Sequence, residues 1–189
     1  QAQHINEFQL SQIDSTPVTF KATYSKSFDL KMAPTDVSLT IKVGSRIMFV
    51  NNHQAGIWVN GTIGDIVQIN EDADEITIRL DNGIPVTVTP HKWQMVKYVY
   101  DSNSRSLQQQ NAGTFTQLPI KPAWAITIHK SQGKTFDKTI IDLGRGAFAE
   151  GQVYVALSRC RHLDGISLSR PLRQSDIIVS RTVIDWEHS

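Results

Sequence analysis

The chain has 189 residues, 40% of them hydrophobic, and a formal net charge of +1. That length allows one ordinary domain or two small ones, and that hydrophobic share excludes wholesale disorder. The near-neutral charge excludes a uniformly basic nucleic-acid binder and leaves room for a local basic groove. Cys160 is the single cysteine, so neither an internal disulfide nor a cysteine-built zinc site can form. The six histidines (His4, His53, His91, His129, His162 and His188) show no i, i+4 pairing, and no metal site is expected. No apolar run approaches the ~20 residues of a membrane span, and QAQHINEFQL lacks the basic start and apolar centre of a signal peptide. An intracellular, reducing setting is expected (cytoplasmic if bacterial), not a secreted one and without a membrane partner. The first residue is Gln and not Met, as expected of a piece cut from a longer chain.

In chain order, Ile5, Phe8, Leu10 and Ile13 predict a short helix over residues 1 to about 13, ended before Pro17. Val18, Phe20, Ala22 and Tyr24 then alternate as a strand does. From about 37 to 100 the pattern is β-rich. Leu39, Ile41 and Val43 alternate, Ile47 to Val50 and Asp65 to Ile69 are short strand candidates, and Ile76, Ile78 and Leu80 lead through Asp81-Asn82-Gly83 into Val86 and Val88. Asn-Gly between two alternating runs signals a hairpin. Several short strands with glycine turns predict a small SH3-like or OB-like barrel. Asp101 to Asn111 is polar and reads as an exposed connection or hairpin tip. The rest switches to α/β: a buried strand over Ala123–Ile128, a second at Thr139–Leu143, a helix over Gly151–Cys160, a short strand at Ile166 and Leu168, and a last helix from Ser180. Val153, Ala156, Leu157 and Cys160 form one apolar stripe of that helix, making Cys160 a small core residue.

Gly133-Lys134-Thr135 matches the end of a P-loop, but the glycine required five positions before Gly133 is Ile128, inside the expected strand. Without that glycine the backbone N–H groups cannot curl around phosphates. A complete P-loop NTPase is therefore not the reading. The loop His129-Lys130-Ser131-Gln132-Gly133 still stands at the carboxyl end of a predicted strand, where α/β sheets bind ligands. It offers a cation, a hydroxyl, an amide and a close backbone approach, suited to a phosphate; an ordinary solvated loop has the same composition. Arg159 points off the apolar stripe. An arginine on a rigid helix suits a phosphate, and equally an exposed ion pair.

AITIHKSQGKTFD followed roughly twenty residues later by QVYVALSRCR resembles the two C-terminal signature motifs of superfamily 1 DNA helicases, in the RecD/Pif-like branch. The residues that carry it are Thr127, His129, Lys130, Ser131, Gln132 and Gly133, then Tyr154 to Arg159. QHINEFQL is similar to the start of the second RecA-like domain of that branch, and LTIKVGSRIMFVNN and VNGTIGDI resemble its small SH3-like insert. The resemblance covers most of the chain and is weakest over 15–38 and 100–115. It implies an α/β fold: a partial RecA-like, P-loop-NTPase-like parallel-sheet domain interrupted by a small SH3-like β-barrel. The implied division is 1–38 for its first part, 39–112 for the insert and 113–189 for the remainder.

By the same resemblance, Arg159 is the arginine finger, Gln132 and Gly133 lie near the nucleotide, and Thr127, His129, Lys130 and Ser131 face single-stranded DNA. The implied cofactor is ATP with Mg2+, held mainly by an N-terminal RecA-like domain that carries the true P-loop. The implied partners are that domain, single-stranded DNA and duplex junctions. The implied activity is ATP-dependent translocation, 5′ to 3′, with duplex unwinding, and the segment by itself is expected to be inactive. Thr135 stands where some relatives place an acidic ribose-binding residue, which puts a strong sugar contact in doubt. Trp58 and Trp93 are read as core and not as base-stacking residues. The competing reading is a non-enzymatic module that holds nucleic acid or a protein on its SH3-like part.

Overall fold

Alternation of apolar and polar residues dominates the first two thirds of the chain, and the backbone there folds as strands. The computed structural model describes residues 1–101 and 106–179. It divides into two compact units, Gln1–Ala125 and the residues from Ile126 on.

The first unit runs α1 (Ala2–Ser11), β1 (Val18–Lys21), β2 (Thr23–Tyr24), β3 (Ser38–Ile41), β4 (Arg46–Phe49), β5 (Ile63–Asn70), β6 (Glu75–Leu80), β7 (Pro85–Val88), β8 (His91–Asp101), β9 (Ser106–Gln117) and β10 (Ile120–Pro122). A five-stranded sheet has the order β10-β4-β5-β6-β7, a three-stranded one β2-β9-β8, and β1 pairs with β3. On β6 the residues Ile76, Ile78 and Leu80 point inward, answered by Val86 and Val88 on β7, so a period of two buries one face of the sheet. The expected turn joins them: Gly83 N–H donates to the Leu80 carbonyl at 2.8 Å and Leu80 N–H to that of Ile84 at 2.9 Å. Gly64 on β5 is needed for close approach. A Cβ there would lie 2.6 Å from the Arg79 carbonyl oxygen and 2.7 Å from Ile78 Cγ2.

Phe20, Leu39, Ile41, Ile47, Phe49, Trp58, Ile66, Leu118 and Ile120 join these side chains in one core. Each is worth about 1.5–3 kcal/mol of burial. Trp58 stacks on Phe49 at 4.4 Å and donates from Nε1 to Asn51 at 3.0 Å, the expected core role. Trp93 is half-buried and packs 5.9 Å from Phe115. Two buried polar side chains brace the strands. The Gln117 amide donates to the Phe20 carbonyl at 2.9 Å and accepts from Leu118 N–H at 2.9 Å, and Thr35 donates to the Ile120 carbonyl at 2.5 Å.

Two expectations change here. The five-stranded ladder is open, with no pairing between β7 and β10 among the described residues, so a closed barrel is not seen. Residues Ala123–Ile128 form no strand. Their backbone finds partners that are not a ladder: Ala123 N–H donates to the Arg46 carbonyl at 3.0 Å, and the Asn6 side chain takes both polar groups of Ala125. Of the two readings of the polar stretch 101–111 the hairpin holds: β8 and β9 pair from His91 with Gln117 to Asp101 with Ser106, so that residues from Ser106 on belong to a strand. The hairpin tip, residues 102–105, lies outside the described residues, as does the expected helix from Ser180.

The second unit contains β11 (Thr139–Ile141), α2 (Gln152–Leu157) and β12 (Ile166–Leu168). β11 and β12 pair in parallel, the pairing that an α/β domain makes through a crossover helix. α2 is shorter than the helix expected over Gly151–Cys160, by one residue at its start and three at its end. Gly151 caps it in a left-handed conformation, and past Leu157 the chain turns so that Cys160 bridges Phe136. Of the stripe, Ala156 is buried, while Val153 and Leu157 are half-buried and line an open apolar trough with Leu172 and Ile178. Cys160 is half-buried, its thiol donating to the Asp137 carbonyl at 3.3 Å.

Candidate functional site

Ile128 has helical dihedrals and starts a single turn of 3-10 helix over His129–Ser131. Ser131 N–H donates to the carbonyls of Thr127 and Ile128, each at 3.1 Å. The Ser131 side chain is buried and its hydroxyl donates to the Ile128 carbonyl at 2.6 Å. The loop therefore uses its serine as an internal strut. Thr127, His129 and Lys130 are exposed around it, and Thr127 Oγ1 accepts from Lys130 N–H at 3.4 Å. Gly133 follows at a φ of 73°, the left-handed region that only glycine enters without strain. It turns the chain so that Lys134 N–H reaches the Ser131 carbonyl at 3.0 Å. Lys134 is half-buried, and this burial lowers its pKa from the ordinary lysine value.

Arg159 meets this loop. Nη1 donates to the Lys134 carbonyl at 3.3 Å, Nε to the Val155 carbonyl at 3.0 Å, and Nη2 to Ser158 Oγ at 3.0 Å. The two motifs are also joined through backbone: Phe136 N–H donates to the Arg159 carbonyl at 2.8 Å and Arg161 N–H to that of Phe136 at 3.1 Å. The guanidinium has only neutral acceptors and forms no salt bridge among the described residues. The exposed-ion-pair reading of Arg159 is thus not what the structure contains. Gln132 is exposed and, with His129, Glu150 and Gln152, lines a cleft of about 50 Å³. The structure brings Thr127, His129, Lys130, Ser131, Gln132, Gly133 and Arg159 into one unit.

No family model matches the chain. A Pif1 ATP-dependent DNA helicase from Bdellovibrio bacteriovorus is 37% identical over 172 residues, which are 88% of this chain and 36% of that protein. A structure of unliganded Pif1 from Bacteroides is 34% identical and superposes with a TM-score of 0.85, covering 98% of this chain and 42% of that one. The chain belongs with the Pif1-like superfamily 1 helicases. Another Bacteroides Pif1 structure, in complex with ADP-AlF3 and single-stranded DNA, is 34% identical with a TM-score of 0.78 over the same shares, 98% and 42%. The Pif1-like chain thus spans 36% to 42% of the length of these relatives.

Two features of this Pif1-like unit escape sequence reasoning. One is Ser158, whose hydroxyl touches Arg159 although adjacent residues do not face each other on a helix. The other is a clamp in the stretch Arg170–Asp176. Arg170 pairs bidentately with buried Asp176 at 2.7 and 2.8 Å, and Asp176 also accepts from the backbone N–H groups of Arg173 at 2.8 Å and Ala147 at 3.2 Å. Hydrogen bonds from Arg170 and the Arg173 backbone hold the Asp176 carboxyl well below the usual carboxylate range. Ser158 lies within the second motif, but the motif does not tell which way its hydroxyl turns, and the Arg170–Asp176 clamp has no periodicity or motif that announces it. Among the described residues no three His, Cys, Asp or Glu side chains gather as a metal site requires. No described helix is long and apolar enough to cross a membrane.

Proposed function

We propose that this chain supplies the second RecA-like part of an ATP-dependent DNA helicase. The division intended is 1–38, an SH3-like insert at 39–112, and 113–189. The observation that carries the reading is the junction of the two motifs: Arg159, without a carboxylate partner among the described residues, is tied to the Lys134 carbonyl at the end of the exposed His129-Lys130 loop. An uncompensated guanidinium on fixed acceptors is suited to an anion that arrives from elsewhere. In this reading Arg159 is an arginine finger that reaches the γ-phosphate of ATP held, with Mg2+, by the P-loop of an N-terminal domain. Gln132 and Gly133 lie beside the nucleotide. Thr127, His129 and Lys130 meet the phosphates of single-stranded DNA, and Ser131 holds their loop in shape. Phosphate contacts position without reading bases, so binding is tolerant of sequence and weakened by salt. The SH3-like insert, whose strands β4, β5, β6 and β7 run as an antiparallel meander, guides the strand at a duplex junction. Translocation runs 5′ to 3′.

The test is single-strand-stimulated ATPase activity of the full-length protein, wild type against Arg159→Ala and Lys130→Ala. Arg159→Ala should lower turnover about 10³-fold or more, the scale of finger loss in NTPases, with DNA affinity retained. Lys130→Ala should weaken DNA stimulation and flatten its salt dependence. Wild-type turnover and unchanged DNA dependence in both variants would instead favour a non-enzymatic binding module.

A further inference from the structure

We infer that Ser158 is a positioning residue for Arg159, setting the direction of the guanidinium without neutralising it; this rests on the reading of Arg159 as the finger. Within a helix, side chains at i and i+1 diverge by roughly 100°. α2 ends at Leu157, Ser158 caps it, and the chain beyond turns to let Cys160 bridge Phe136. At Ser158 the backbone is still helical and tightens into i−3 bonds, Arg159 N–H to the Ala156 carbonyl at 3.3 Å, and the Ser158 hydroxyl lies 3.0 Å from Arg159 Nη2. Both side chains fold back onto the Val155 carbonyl, and that shared acceptor brings them together.

The chemistry of the hydroxyl is fully used. Ser158 Oγ donates its one proton to the Val155 carbonyl at 3.1 Å, which leaves lone pairs alone facing the guanidinium. The same carbonyl accepts Arg159 Nε at 3.0 Å. Val155, Ser158 and Arg159 therefore close a small ring of hydrogen bonds. The remaining support, Nη1 to the Lys134 carbonyl, is long at 3.3 Å. Among the described residues Ser158 supplies one of the two short bonds to Arg159 and its only side-chain acceptor. All three acceptors are neutral, so the guanidinium is aimed and keeps its whole charge for an incoming phosphate. A carboxylate in place of Ser158 would hold the group as well and cancel the charge that the site needs.

The experiment uses the full-length protein that carries this chain. Single-strand-stimulated kcat and KM for ATP are measured, together with the affinity for ADP–aluminium fluoride, for Ser158→Ala, Ser158→Thr, Ser158→Asp, Arg159→Ala and the double variant Ser158→Ala/Arg159→Ala. Misaiming a catalytic group costs up to about 10²-fold, so Ser158→Ala should lower kcat about 10- to 100-fold, with KM and single-strand affinity unchanged. Ser158→Thr, which keeps the hydroxyl, should restore most of kcat. Ser158→Asp should lose ADP–aluminium fluoride affinity while ADP affinity stays. The double variant should be no slower than Arg159→Ala, because Ser158 has nothing else to position. Loss of activity in Arg159→Ala with full kcat in Ser158→Ala overturns this proposal alone. So does a Ser158→Thr variant as slow as Ser158→Ala, or an additive double variant, since both mark a merely structural role. Full turnover in Arg159→Ala overturns the finger reading and this proposal with it.

Discussion

Asn6 is the side chain through which α1 holds the segment leading out of the first unit. α1 has no buried residue, so its attachment depends little on apolar burial. Asn6 Nδ2 donates to the Ala125 carbonyl at 2.9 Å, and its Oδ1 accepts from Ala125 N–H at 2.8 Å; a third, longer bond runs from Nδ2 to the Pro122 carbonyl at 3.3 Å. The amide thus satisfies one whole peptide unit as a neighbouring strand would. Asn6→Ala removes two good bonds and one weak one. At about 1 kcal/mol net for each good bond the loss is about 2 kcal/mol. The site is half-buried, so water recovers part of it and about 1–2 kcal/mol remains. Urea unfolding should show this as a lower midpoint at constant slope, with faster exchange of the Ala125 amide hydrogen. Asn6→Asp is the sharper test: it keeps the acceptor for Ala125 N–H and turns a carboxylate toward the Ala125 and Pro122 carbonyls. At neutral pH it should be less stable than Asn6→Ala, and acid should narrow that difference by protonating the carboxyl. Stability of Asn6→Ala equal to wild type, or of Asn6→Asp equal to Asn6→Ala at neutral pH, would refute the claim that the amide is the tether.

Two further predictions concern the fold. Gly64→Ala puts a Cβ 2.6 Å from the Arg79 carbonyl oxygen, forces β5 away from β6 and should cost about 1–3 kcal/mol in urea unfolding. The Asp176 carboxyl has a lowered pKa in the fold, so its contribution to stability is fully present above the ordinary carboxylate range and is lost as pH falls through the folded value. Wild type should therefore exceed Asp176→Asn in stability at pH 7 by a margin that shrinks as the solution is taken below about pH 4, followed by urea unfolding at each pH; a margin independent of pH would show that the Arg170–Asp176 pair does not act through its charge.

The strands of the first unit are legible because their cause is local. Ile76, Ile78 and Leu80 alternate, Asn82-Gly83 turns, and Val86 and Val88 alternate again, which is the whole physical content of that hairpin. The segment Ala123–Ile128 is apolar and reads as a strand, yet a strand also needs a neighbour, and Asn6, more than a hundred residues away in sequence, takes that place. No local pattern encodes such a partner. Closure of the five-stranded ladder is a property of its edges, which alternation does not reach. At the site, Lys130 and Arg159 are picked out by composition and by the two motifs together. What those letters cannot convey is that the Ser131 hydroxyl turns inward and that Ser158 turns toward Arg159, because both depend on which backbone carbonyl the hydroxyl reaches.

The end of α2 links these observations. An apolar stripe from Val153 to Cys160 favours a longer helix, which would bury the stripe and carry Arg159 on a regular turn. The chain instead gives up those last residues: Phe136 pairs its N–H with the Arg159 carbonyl, and Arg161 N–H returns to Phe136. Two backbone bonds replace helical ones, so the exchange costs little in hydrogen bonding. What it alters is geometry. It draws the loop after Gly133 and the turn after Leu157 side by side, and it leaves Arg159 facing carbonyls and a hydroxyl where a surface arginine would find a carboxylate. An arginine satisfied by a carboxylate is a structural group; one aimed by neutral acceptors retains the pull on an anion. Strengthening the last turn of α2, so that the helix runs on past Leu157, would undo both effects together and separate the loop from the finger.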